Sequence, residues 1–437
     1  MKEKKSKFEL LFVGLAFFAT YFGAGNLIFP PMLGLESGTQ WFPGVIGLIV
    51  SGVTLPLLAI VIFGYMDDME QWMYDHVGIK YYKAYLFLML VLGCQLAAVP
   101  RTGAVGIELG VQSISSSIPY IPAVIIYFIV VIFFTKTEEN ALDHIGKILT
   151  PVMVIILFIL VIKNIISPVD TPVDTGIGNG AFIHTLLGGY NTGDLIVSFL
   201  MASVFLGTVK AKGYKTGKEC GNATLKAAIV AFICLSVIYG GLFYLGACGG
   251  SHFDASIGNA PLLIGLIEMS GGTLARQALG VAVTLACLTT AIGETTATSQ
   301  FFYKELKGKV KYRYISIIWS LVSMVVSLIG LNKLIAIIGP IFTTFYALGL
   351  TLLLLLLLRK ITPNDSANKG AVYVVMVFAL AELLVAYAPN IPVISTAVHS
   401  VPFQSHGFGW VIPFIIGYVV GMIFGLVKKN SAEKFAQ

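Results

Sequence analysis

Long apolar runs separated by short polar clusters set the rhythm of this chain. Tyr85 to Val99, Ile121 to Phe134, Val152 to Ile162 and Ala347 to Leu358 contain no charged residue. With their uncharged flanks they reach the ~20 residues that a tilted helix needs to cross a ~30 Å hydrocarbon core. The alternating ~10-residue segments of a membrane β-barrel are not seen. Hydropathy divides the chain into twelve expected spans: 8–35, 41–64, 82–107, 119–135, 145–166, 182–209, 223–248, 273–302, 314–330, 334–358, 371–389 and 408–427. The pattern predicts an all-α polytopic membrane protein.

Two spans break their own pattern. The stretch "FFATYFGAGNLIFPP", residues 17–31, places two glycines, an asparagine and a double proline inside apolar sequence. Backbone groups left without helical partners in hydrocarbon cost several kcal/mol each unless something satisfies them. Five spans later, "LLGGYNTGD" (Leu186 to Asp194) repeats the interruption, with Gly188, Gly189 and Gly193 around Tyr190, Asn191 and Thr192. For one such segment, close helix packing by glycine and interhelical bonding by Asn26 compete with a functional break. Two breaks, five spans apart, favour broken helices. There, half-helix N-termini attract carboxylates and freed carbonyls coordinate cations.

A third polar cluster lies in span eight. In "ACLTT", Ala286, Thr289 and Thr290 stand at i, i+3 and i+4, so one carbonyl and two hydroxyls share a face. Span one, rising from the cytoplasm, and span eight, descending from outside, reach mid-depth near Ala19 to Phe22 and near Thr289. A half-shell of neutral oxygens suits Na⁺, whereas soft or imidazole ligands select other metals. Hydroxyls bonded back to their own helix are the competing reading.

Composition agrees with a membrane chain: of 437 residues, 57% are hydrophobic and 11% charged, against roughly 25% charged in soluble domains. The net charge of +6 reads as topology rather than nucleic-acid binding, since no aromatic-studded basic face is present. Lysines gather at MKEKKSK, at 210–218, at 304–313, at Arg359-Lys360 and at Lys428-Lys429, while 36–40, 249–272 and 390–407 have neither Lys nor Arg. The positive-inside rule then puts both termini in the cytoplasm. No cleavable signal is expected, the basic start leading straight into the first span. Five cysteines without metal spacing read as buried thiols. No His/Cys cluster, nucleophile elbow or phosphate-binding loop is visible, which leaves gradient-driven transport ahead of an enzyme, a channel or a receptor. The outside segment 249–272 is expected to hold a short helix around "APLLIGLIEMS", as a lid or as a plain connection.

With these residues in view, the chain resembles the bacterial branched-chain amino acid:cation symporter family (LIVCS) of the amino acid, polyamine and organocation superfamily. The motifs that carry the resemblance are "FGAGNLIFPPMLG" (22–34), "VPRTGAV" (99–105), "GYNTGD" (189–194) and "LACLTTAIG" (285–293). It implies a LeuT-type fold: a 5+5 inverted repeat, 8–166 and 182–358, with helices one and six broken and two peripheral helices over 371–427. It implies a sodium site made of the Ala19, Phe22 and Ala286 carbonyls and the Thr289 and Thr290 hydroxyls. The Ala24 and Gly25 amides would receive the substrate carboxylate. Asn26 matches a residue of a second cation site in some relatives, and Tyr190, Asn191 and Thr192 would bind the ammonium and close over the substrate. The chain departs from the family at Gly193, where Met is more frequent, and at Glu294, where an apolar residue is usual.

Four further charged residues carry open readings. Arg101 and Glu108, seven apart on span three, are expected as a gate-ordering ion pair or as structural pairing near the headgroups. Asp194 is expected to cap the lower half of span six. Glu294, one turn below Thr290, either faces an inner water vestibule or carries a proton. The resulting expectation is a sodium-coupled symporter in the bacterial cytoplasmic membrane that imports L-leucine, L-isoleucine and L-valine by alternating access. A proton-coupled transporter or exchanger of small apolar amino acids is the alternative. The lipid bilayer is the other expected partner, and oligomeric state is not legible.

Overall fold

The computed structural model describes residues 7–136, 142–215 and 217–435, and every described regular element is a helix. In chain order these are α1 (Lys7–Tyr21), α2 (Ala24–Ser37), α3 (residues 41–64), α4 (Met69–Ile114), α5 (Tyr120–Thr135) and α6 (Leu142–Ile166). Then come α7 (Ala181–Gly188), α8 (Asp194–Leu200), α9 (Ala202–Ala211), α10 (Gly217–Ala247), α11 (Asn259–Glu305) and α12 (Tyr312–Ser327). The series ends with α13 (Leu331–Leu358), α14 (Asp365–Tyr387), α15 (Pro392–His399) and α16 (Val411–Phe435). Helix lies in each of the twelve expected spans. Among the described residues seven helices are long and apolar enough to cross a membrane, or eight if the bent pair 178–211 is one span, and four apolar helices are shorter. The basic start, 1–6, lies outside the described residues.

The α5 sequence shows why these helices suit lipid. It is apolar all round, with Val124, Phe128 and Val131 buried and Ile121, Ile126, Ile129 and Phe133 exposed. A helix without a polar face has no use for water on its outer side.

The chain groups into two units. The first comprises residues 1–55, 90–194 and 226–339. Lipid offers no hydrophobic drive for helices to associate, so close backbone approach and interhelical bonds take over. Within this unit, Gly34 of α2 lies against the Phe243 carbonyl of α10, and Gly246 of α10 against the Pro31 carbonyl of α2. Gly110 of α4 meets Thr284 of α11, whose hydroxyl donates to the Gly106 carbonyl at 3.2 Å. Thr185 of α7 donates to the Gly44 carbonyl of α3 at 2.6 Å. These crossings bring α2, α4, α10 and α11 together where the breaks occur. The helix expected around "APLLIGLIEMS" is present as the first part of α11, which turns at Gly272 (φ 69°) before continuing. Its inner face is Leu262, Leu263, Leu266 and Ile267, all fully buried.

The second unit comprises 56–89, 195–225 and 340–437. Its helices pack by the same means, with Gly370 of α14 against the Gly417 carbonyl of α16. Aromatic edges add to it: Phe63 meets Phe199 at 5.3 Å and Tyr81 meets Tyr373 at 5.5 Å.

Candidate functional site

The site is built from two interruptions in the first unit. α1 ends at Tyr21 and α2 begins at Ala24, with Gly23 extended between them (φ −129°, ψ −166°). The Gly23 amide, which an unbroken helix would aim at Ala19, instead donates to Asn26 Oδ1 at 3.3 Å. Among the described hydrogen bonds, no backbone amide reaches the carbonyls of Ala19 or Phe22, and the amides of Ala24 and Gly25 find no acceptor. These are the orphan groups that any helix end creates, here created in mid-span.

α7 ends at Gly188 and passes into a 3₁₀ turn over Gly189–Thr192. Gly193 then takes a left-handed conformation (φ 83°) before α8 starts at Asp194. A side chain with a Cβ is strained there, which gives the Gly193 departure a backbone reason. Thr192 closes the turn on itself, its hydroxyl donating to the Gly189 carbonyl at 2.9 Å.

Asp194 opens α8 as expected, but its carboxylate reaches beyond its own helix. Oδ2 accepts from Asn26 Nδ2 at 2.7 Å and from the Tyr239 hydroxyl at 3.0 Å. Asn26 Nδ2 also bonds the Tyr239 hydroxyl. All three are buried, at 2%, 1% and 0% exposure for Asn26, Asp194 and Tyr239. The triangle ties α2, α8 and α10 together at the breaks. Tyr239 was not singled out from sequence, because a tyrosine in an apolar helix carries no local mark of the partner it will meet.

Arg101 and Glu108 do not pair with each other. Seven residues correspond to about 10 Å along a helix, and the two side chains turn to different elements. Glu108 accepts from the Leu331 amide at 2.8 Å. Arg101, only 4% exposed, donates to the Asn191 carbonyl at 2.6 Å and the Thr192 carbonyl at 3.2 Å. Its guanidinium lies 5.5 Å from the Phe29 ring of α2. Two of the three residues expected to take an ammonium therefore have their carbonyls engaged by a cation of the protein itself. Tyr190, at 1% exposure, is packed into the same turn.

Thr289 and Thr290 both donate to the Ala286 carbonyl, at 2.9 and 3.0 Å. The local back-bonding reading describes their protons, and it leaves hydroxyl lone pairs as acceptors. The break in span one is next to them: a Cβ placed on Gly23 would stand 3.5 Å from Thr290 Oγ1. One turn further, Glu294 has a buried Oε2 without a hydrogen-bond partner. Gln95, also missed from sequence, donates to Thr298 at 2.9 Å and accepts from Ser323 at 3.0 Å, joining α4, α11 and α12. No group of three or more His, Cys, Asp or Glu able to hold a metal ion occurs among the described residues.

Among solved structures, the chain is similar to MhsT in complex with L-phenylalanine, at 14% identity, TM-score 0.54, and 90% and 98% coverage of this chain and that one. It is also similar to a mutant of the Eremococcus coleocola manganese transporter, at 13% identity, TM-score 0.61, and 98% and 96% coverage. These establish the LeuT-type fold. In sequence, the chain is 30% identical to the branched-chain amino acid permease BrnQ of Bacillus subtilis, over 99% of this chain and 100% of that one. A putative branched-chain amino acid carrier protein of Staphylococcus aureus (strain USA300) is 29% identical, over 97% and 98%. The model of the branched-chain amino acid transport protein family matches residues 6–428, both breaks and the span-eight threonines included. The chain, a multi-pass membrane protein, belongs to that family of transporters.

Proposed function

We propose that this protein is a sodium-coupled symporter that imports L-leucine, L-isoleucine and L-valine across the bacterial cytoplasmic membrane by alternating access. The observation that carries the reading is the break at Phe22–Gly23. It leaves the Ala19 and Phe22 carbonyls and the Ala24 and Gly25 amides unpaired, beside the hydroxyl of Thr290. Carbonyls and hydroxyls suit a small hard cation, and first-turn amides suit a carboxylate. Sodium would bridge α1 and α11, and the amino acid would lie beside it with its side chain toward α4, α8 and α11. Each ligand then completes part of the other's site, so each raises the other's affinity by the same factor. The repeats 8–166 and 182–358 are the moving frame, with 371–427 peripheral, and the lysine-rich loops put both termini in the cytoplasm.

Proton coupling is the second reading, favoured by the unpartnered Oε2 of Glu294. Taken as ionised, Arg101, Asp194 and Glu294 leave one net negative charge. A sodium ion or a proton balances that charge equally well. Uptake by proteoliposomes separates the two. Under the sodium reading, Thr289→Ala and Thr290→Ala raise the sodium concentration for half-maximal leucine uptake by about tenfold, the effect of losing ~1.4 kcal/mol at the ion. Uptake that ignores sodium, follows a pH gradient and is lost in Glu294→Gln establishes proton coupling instead.

A further inference from the structure

We infer that Arg101 reads the substrate's carboxylate, and is the residue that restricts this transporter to free amino acids. This deepens the proposed function and rests on its placement of the substrate at the span-one break.

A guanidinium is permanently charged, and burying one is costly unless its surroundings repay it. Arg101 is 4% exposed, and its position is the product of several elements. The glycine contacts of α4 with α11 hold its helix close, and the 3₁₀ turn offers it two carbonyls. On the other side it lies against the start of α2. A Cβ placed on Gly25 would stand 2.7 Å from Nη2 and 3.2 Å from Nη1, so any side chain at position 25 would push the guanidinium away. Glycine there lets a positive charge approach the first turn of a half-helix whose Ala24 and Gly25 amides have no acceptor.

The donors collected at this point are of one kind. Backbone N–H groups, the positive end of a helix and a guanidinium all favour an anion, and the planar fork of arginine matches a carboxylate in particular. The same charge repels an ammonium. The amino group of a bound substrate therefore points away from Arg101 and from the Asn191 and Thr192 carbonyls that it occupies. A neutral clamp holding the unwound turn would need donors but no charge. Glutamine could supply that, and the distinction can be measured.

The experiment uses the full-length protein purified in detergent. Ligand-induced thermal stabilisation is titrated with L-leucine and with L-leucinamide, which keeps the side chain and ammonium but lacks the carboxylate charge. In the wild type, leucine is expected to bind at least about tenfold more tightly than leucinamide, about one charge-assisted contact's worth. In Arg101→Gln, leucine weakens by about tenfold or more while leucinamide changes by less than about threefold, so the ratio collapses toward one, whereas Arg101→Lys, which keeps the charge without the planar fork, holds an intermediate ratio. Equal losses for both ligands, or a ratio kept at the wild-type value, would assign Arg101 a structural role and overturn the inference. Should Arg101→Gln not fold, Arg101→Met, which is likewise uncharged, decides by the same ratio. A wild type that is stabilised by no branched-chain amino acid refutes the proposed function itself, a different outcome from a wild type that binds leucine without discriminating.

Discussion

The two broken helices are interrupted by opposite means. In span one, Phe22 and the extended Gly23 separate two intact helices, and the side chain of Asn26, three residues on, takes the Gly23 amide. In span six, a 3₁₀ turn and a left-handed glycine unwind five residues, 189–193, and a side chain from another helix takes the freed carbonyls. The first break is held locally and keeps backbone groups unpaired beside the span-eight hydroxyls. The second is held from a distance by a cation. A break that satisfies itself can present its remaining groups to ligands, whereas one that borrows a partner couples its shape to that partner.

Three substitutions sharpen this contrast, beginning with the largest effect. Asp194→Ala removes the acceptor shared by Asn26 and Tyr239, the link between the two breaks. Leaving two buried donors without it is expected to cost about 2 kcal/mol, and the thermal midpoint in detergent should fall clearly, with Asp194→Asn falling less. Gly193→Ala forces a Cβ into the left-handed region at φ 83°. It should cost about 1–2 kcal/mol and reduce leucine uptake through the span-six turn. Gly23→Ala is the counterpart with little effect. Its backbone is extended, and the nearest atom to a new Cβ is Thr290 Oγ1 at 3.5 Å, an ordinary contact. Stability within about 0.5 kcal/mol of wild type is expected. A Gly23→Ala loss as large as that of Gly193→Ala would show that the two breaks are held alike.

How far the site was legible follows from the range over which each signal acts. The helices, the short helix before Gly272 and both breaks are written in local sequence, in hydropathy and in the placing of glycine. The spacing of Ala286, Thr289 and Thr290 likewise identified a polar face within one helix. Arg101 and Asp194 stand out as charges in apolar sequence, but local sequence does not name their partners. An ion pair with Glu108 along α4 and a cap on α8 are the local choices. The structure selected Asn191 and Thr192 for one, and Asn26 and Tyr239 for the other. Gln95 and Tyr239 bore no local mark at all.

Sequence alone therefore determined where this chain is helical and where it breaks, because those depend on residues within a turn or two, while the backbone groups released at the first break were implied by the family resemblance. Tertiary structure alone decided what meets at the breaks. Asn26 and Asp194 are 168 residues apart and Asn26 and Tyr239 are 213 apart. Which face of α4 or α10 turns inward is set by glycine-to-carbonyl contacts between helices, Gly34 on Phe243 and Gly246 on Pro31 among them. In lipid, where apolar faces do not distinguish inside from outside, such contacts orient a helix and hydropathy does not.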